Sequence, residues 1–245
     1  MIRFLLVCIT VIGFLILSIP ILIVEWIIGK FNPYKKDISS LHLIQSVFRF
    51  ILWLTGVEVT VIGEELVPTD EAVLYIGNHR SFFDILLTYT RCPRLTGYIA
   101  KAEMEKIPLL SNWMHYLHCL FLDRKDIKKG LKTILSGIEL IKSGISVCIF
   151  PEGTRNKGEE LSLLPFHNGS FKIAEKTGCP IIPMSLNNTC DIFEGHFPFI
   201  KKTHVILEYG KPIYPKELDK DEKKRIGEYC SNIISETIHK NQALV

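Results

Sequence analysis

The segment Asn78-His79-Arg80-Ser81-Phe82-Phe83-Asp84 places an imidazole shortly ahead of a carboxylate. Ser81-Phe82-Phe83-Asp84 fits the S-x-x-D start of a helix, and a carboxylate at the third helical position points back toward the entering chain. There it can reach His79, fix its tautomer and stabilise the imidazolium formed when the other ring nitrogen takes a proton. Plain capping, with Ser81 as the cap and Asp84 satisfying backbone N–H groups, fits the same residues. Much later, Phe150-Pro151-Glu152-Gly153-Thr154-Arg155 supplies a glycine-containing loop with a carboxylate and a guanidinium, suited to holding an anion. Together the two segments point to catalysis on a phosphate-bearing molecule. The chain has no G-x-S-x-G elbow to supply a nucleophile, so the proton that His79 takes belongs to a substrate hydroxyl.

The elements that must position these residues follow from periodicity. Strands are expected at Val57 to Val61, Ala72 to Ile76, Thr96 to Ala100, Cys119 to Leu122, Ser146 to Phe150, Ile181 to Leu186 and His204 to Tyr209. Helices are expected after Ser81, around Leu109 to His118, from Ile127 to Ser143, near Gly169 to Lys176 and at the carboxyl end. Alternation with short connections predicts an α/β fold, a mostly buried mixed sheet flanked by helices.

Ahead of it, Phe4 to Val24 carries no charge, and about 20 such residues suffice to cross a hydrocarbon layer. Arg3 is the only basic residue before the run and no small-x-small cleavage site follows, so an anchor, spanning or embedded, is favoured over a signal peptide. Trp26 and Lys30 suit an interface, and Lys30, Lys35 and Lys36 outnumber Arg3, which places the downstream domain on the cytoplasmic face of the cell membrane. Leu41 to Leu54 reads as an interfacial helix or as a buried one. The expected division is 1–56 as membrane anchor and interfacial helix, and 57–245 as catalytic domain.

The apolar fraction of 47% is ample for a core, while a net charge of +3 is too small to argue for nucleic acid. Seven scattered cysteines without a C-x-x-C pair read as reduced thiols, and no ligand set for a metal is legible.

Four blocks carry a resemblance. Asn78 to Asp84, Phe121-Leu122-Asp123-Arg124, Phe150 to Arg155 and Cys179-Pro180-Ile181-Ile182-Pro183-Met184-Ser185 are similar, in order, to those of the glycerophospholipid acyltransferase family. The likeness is greatest to its bacterial members that act on 1-acylglycerol 3-phosphate, and it covers approximately Val57 to Pro212. It implies a catalytic His79 with Asp84 as partner, and an acceptor site drawn from Arg124, Glu152, Gly153, Thr154, Arg155 and Lys101, with Glu152 either touching the acceptor or orienting its loop. It further implies lysophosphatidic acid as acceptor, an acyl carrier protein or coenzyme A thioester as donor and co-substrate, membrane lipid as surroundings, and no other cofactor. Backbone N–H groups around Gly153 are candidates for the oxyanion. Two departures stand out: His118 where relatives commonly have glycine, and His167-Asn168 in place of a frequent basic pair. The open alternatives are another lysolipid or glycerol phosphate as acceptor, hydrolysis by an activated water, and a non-catalytic lipid-binding membrane protein.

Overall fold

The computed structural model describes residues 1–245. Three helices open the chain, α1 (Ile2–Leu17), α2 (Ile19–Phe31) and α3 (Pro33–Thr55). There follow β1 (Glu58–Ile62), β2 (Leu74–Gly77), α4 (Phe83–Tyr89), β3 (Thr96–Lys101), α5 (Leu110–Tyr116), β4 (Leu120–Leu122), α6 (Ile127–Lys142) and β5 (Ser146–Ile149). The chain closes with α7 (Lys172–Thr177), β6 (Ile181–Asn187), β7 (His204–Tyr209), α8 (Lys220–Lys224) and α9 (Ile226–Asn241).

The seven strands form one sheet in the order β1-β7-β6-β2-β5-β3-β4. Every neighbouring pair is parallel except β6 with β7, so the sheet is mixed, as the alternation predicted. A parallel pair needs a crossover long enough to return the chain, and the helices supply it. The connection from β6 to β7 holds only short 3-10 turns and returns antiparallel.

Successive side chains of a strand face opposite ways, which divides the core into two layers. Tyr75, Cys148, Ile182 and Met184 meet α3, α4 and α5 through Leu41, Ile44, Leu87 and Trp113. Leu74, Ile76, Val147, Ile149 and Ile181 meet α6, α7 and α9 through Ile138, Ile173, Cys230 and Ile234. β2, β5 and β6 are buried throughout, which explains their unbroken apolar runs.

The amino-terminal run is not one straight helix. It bends by 48° between α1 and α2. Pro20 lacks an N–H for the helical ladder, and Trp113 Nε1 donates to Ser18 Oγ at 2.9 Å, pinning the bend to α5. α3 is longer than the apolar pattern suggested, and it has two faces. Leu41, Ile44 and Ile51 are buried in the core, whereas Phe50 and Trp53 are exposed. Gln45 Nε2 donates to the carbonyls of Tyr89 and Cys92 at 3.2 and 2.9 Å, closing the end of α4. By length and composition α3, and the bent α1–α2 pair taken together, are the segments apolar enough to cross a membrane.

Candidate active site

β2 ends at Gly77, and Asn78 prolongs its pairing with β6. The Asn78 amide donates to the Leu186 carbonyl at 2.9 Å and its oxygen accepts from the Leu186 N–H at 2.8 Å. The chain therefore leaves the sheet in a fixed direction just before His79. His79 Nδ1 lies 2.8 Å from Asp84 Oδ2. The same oxygen accepts the N–H groups of Arg80 at 2.7 Å and Ser81 at 2.8 Å. Asp84 is fully buried, so this carboxylate both caps the turn and orients the ring. The two functions left open by the sequence coexist.

A carboxylate accepting at Nδ1 leaves Nε2 as the basic nitrogen. The ring is also held from its face, stacked on Phe150 at the end of β5 with centroids 4.5 Å apart and planes 16° apart. Its side chain keeps 16% of its surface open. The arrangement is that of a general base poised to take a proton from a hydroxyl.

Glu152 holds the loop in place. It is buried, its Oε1 accepts the His79 N–H at 2.7 Å and its Oε2 accepts the Leu164 N–H at 2.8 Å. Burial pushes its carboxyl up, against the pull of those two donors. With an N–H on each oxygen, it ties the loop after β5 to the backbone of His79. Arg80 is likewise inward. Its Nη1 and Nη2 donate to the carbonyls of Glu159 and Gly158, each at 2.8 Å, and its Nε is 2.9 Å from Glu160. It faces the loop instead of water.

The remaining cations gather at the carboxyl ends of the strands, where open α/β sheets bind ligands. Arg124 follows β4, forms no ion pair, and has its pKa lowered by desolvation, with Glu103 pulling the other way. Lys101 closes β3, exposed and 3.1 Å from Glu103. Arg155 lies beyond the Gly153 turn, its Nη1 2.9 Å from Glu194 and its guanidinium 3.6 Å over the Phe82 ring. Thr154 is exposed at the tip of that turn. Glu194, Phe150 and Phe82 were not foreseen as site residues. No spacing rule connects Glu194 to Ser81 or Arg155, so the sequence held no signal for it.

Gly153 adopts φ of +72°, and a Cβ there would stand 3.1 Å from His167 Cδ2 and 3.7 Å from Arg124 Cζ. Its own N–H donates to the Phe150 carbonyl, so it is not an oxyanion donor. The N–H groups of Thr154 and Arg155 have no acceptor within the chain and are the ones left for that task. Gly153→Ala is expected to lower Tm by about 2–8 °C, from about 1–2 kcal/mol of left-handed strain. The added Cβ should also displace His167, while Arg124 stays at an ordinary contact distance; thermal melting checks the loss of stability.

His118, the other departure, has φ of +57°, a conformation that glycine adopts without strain. Its Nε2 reaches Asp37 of α3 at 2.8 Å, so the histidine joins the amino-terminal helices to the turn before β4. No group of three or more His, Cys, Asp or Glu side chains is arranged to hold a metal ion.

The Acyltransferase family model matches residues 58–187. The 1-acyl-sn-glycerol-3-phosphate acyltransferase of Borreliella burgdorferi is 30% identical over 189 residues, 76% of this chain and 74% of that one. The enzyme of the same name from Saccharomyces cerevisiae is 28% identical over 200 residues, 81% of this chain and 65% of that one. A plastid relative from Brassica napus is 32% identical, and the chain spans 59% of its length. In fold, the chain is similar to the crystal structure of the 1-acyl-sn-glycerophosphate (LPA) acyltransferase PlsC from Thermotoga maritima. That match has a TM-score of 0.84 and 24% identity, covering 99% of this chain and 95% of the other.

Proposed function

Because the chain belongs to the acyltransferase family, we propose that it moves an acyl group from a thioester to the free hydroxyl of 1-acylglycerol 3-phosphate, giving phosphatidic acid for phospholipid synthesis. The observation that carries the reading is the buried Asp84 holding His79 at 2.8 Å with Nε2 unengaged. The relatives' names support the choice of acceptor.

In this reading His79 Nε2 takes the hydroxyl proton as the oxygen attacks the thioester carbonyl. The negative charge on Asp84 stabilises the imidazolium. The tetrahedral oxyanion is met by the backbone N–H groups of Thr154 and Arg155. Collapse expels the thiolate, which recovers the proton from His79. Arg124 and Arg155 hold the acceptor phosphate with paired N–H groups, and Lys101 adds charge at the rim. Acyl carrier protein and coenzyme A thioesters present the same reacting atoms, and no bound cofactor takes part. The exposed apolar surface of α1 and α2, with Lys30 over Trp26, supports attachment to the membrane that holds the acceptor, and the excess of Lys30, Lys35 and Lys36 over Arg3 supports a cytoplasmic catalytic domain.

The test is a panel of acceptors and donors offered to purified, detergent-solubilised protein. Turnover is expected with lysophosphatidic acid and not with a lysolipid lacking the phosphate monoester. Fatty acid released without any acceptor would favour hydrolysis, and no turnover with any donor would favour a lipid-binding protein. Arg124→Ala is expected to raise the acceptor KM about tenfold or more, as loss of one charge-assisted contact requires. An unchanged KM would remove Arg124 from the phosphate site.

A further inference from the structure

Glu194 lies in the connection between β6 and β7, outside every motif read from the sequence. Its side chain is 19% exposed and makes three hydrogen bonds. Oε1 accepts from Arg155 Nη1 at 2.9 Å and from the Phe82 N–H at 2.8 Å. Oε2 accepts from Ser81 Oγ at 2.7 Å, and that hydroxyl oxygen in turn accepts the Phe83 N–H at 3.0 Å. One carboxylate thus joins the Arg155 turn to Ser81 and Phe82, the residues that lead into α4. Those residues stand between His79 and Asp84.

We propose that Glu194 is a positioning residue that holds Arg155 in register with the catalytic His79–Asp84 pair. The inference rests on the assignment of Arg155 to the acceptor phosphate made above. An arginine side chain has several rotatable bonds and, left free, samples many positions. Here one nitrogen is fixed on Glu194 and the flat face lies on Phe82, a stacked geometry that a planar guanidinium favours. No other hydrogen bond within the protein engages the Arg155 side chain, so Nε and Nη2 remain for phosphate oxygens. A misplacement of about 1 Å in such a site can cost about a hundredfold in rate. Glu194 therefore acts twice: through Arg155 on where the acceptor sits, and through Ser81 and Phe82 on where the base sits. The adjacent Phe193 stacks on Phe4 of α1 with centroids 5.3 Å apart, which anchors the segment that carries Glu194.

The experiment uses the full-length protein in detergent with 1-acylglycerol 3-phosphate and one acyl thioester. Glu194→Ala is expected to raise the acceptor KM about tenfold and lower kcat about threefold, with the donor KM within about twofold of the parent. Glu194→Gln keeps an oxygen for Arg155 and Phe82, and is expected to bring kcat back to within about twofold. In the Glu194→Ala/Arg155→Ala double variant the acceptor KM should equal that of Arg155→Ala alone, because Glu194 acts through the arginine. An unchanged acceptor KM in Glu194→Ala, acceptor-KM effects that multiply in the double variant, or no recovery of kcat in Glu194→Gln would overturn the proposal. Should Glu194→Ala fail to fold, Glu194→Asp, which withdraws the carboxylate by one methylene, is expected to raise the acceptor KM in its place, and no change there overturns the proposal too. A parent enzyme indifferent to the acceptor phosphate would instead sink the assignment of Arg155. The kcat comparison, made with whichever acceptor the parent uses, still decides the role of Glu194 at α4.

Discussion

Replacing His79 with alanine is expected to lower kcat by about a hundred- to ten-thousandfold, the range of general-base assistance, while leaving fold and membrane attachment unchanged. The side chain is only partly buried, and its backbone bonds, the N–H to Glu152 and the carbonyl to the Asn156 N–H, do not depend on the ring. Thermal melting should therefore move little. The acceptor KM should also stay near the parent's, because the proposed phosphate contacts lie on other residues. Residual activity within about tenfold of the parent would mean another group takes the proton.

The second large effect concerns Asp84, where two substitutions separate charge from geometry. Asp84→Asn can set its oxygen where Oδ2 now accepts from His79, Arg80 and Ser81, and its amide where Oδ1 lies without a partner. The ring and the turn then keep their places, and the negative charge facing the imidazolium is gone. We expect kcat to fall about a hundredfold or more while the acceptor KM stays near the parent's. Asp84→Ala strips the acceptor from three donors in a site with no surface exposure. The expected cost is on the order of 3 kcal/mol or more, which is about 6–12 °C in Tm, with activity lost alongside. An asparagine variant with parental kcat would reduce Asp84 to a structural cap.

These two residues were legible in advance because their relation is local. A capping pattern at the start of α4 brings Asp84 back over the preceding turn, and the backbone of one helical turn is enough to do it. Most strands and helices were legible for a similar reason. The run Ile127 to Ser143 buries one face against the sheet, and the observed α6 spans Ile127–Lys142. The bend between α1 and α2 was within reach through Pro20, but an unbroken apolar run masked it.

Glu152 shows where local reading stopped. Its place in the motif left open contact with substrate or orientation of the loop; its partners are the N–H groups of His79 and Leu164, and the first of these is 73 residues distant in sequence. That pairing exists because β2 and β5 are neighbours in the sheet, which no pattern within either segment can state. The partners of Arg80 were hidden for the same reason, since the 158–160 loop that absorbs it arrives from another strand.

The sequence by itself determined the chemical inventory: a base with its carboxylate, a glycine turn, arginines after buried strands, and an apolar leader. Side-chain type, hydrophobic period and capping spacing are properties of a few consecutive residues, so a linear string carries them. Only the tertiary structure decided which of these groups stay open to an acceptor. Glu152 and Arg80 are buried and bonded to backbone groups, Arg155 is tied by Glu194, and Arg124 stands without an ion-pair partner beside Gly153. Those outcomes depend on strand order and on loops that meet at one edge of the sheet, where partners far apart in the chain compete for the same charges.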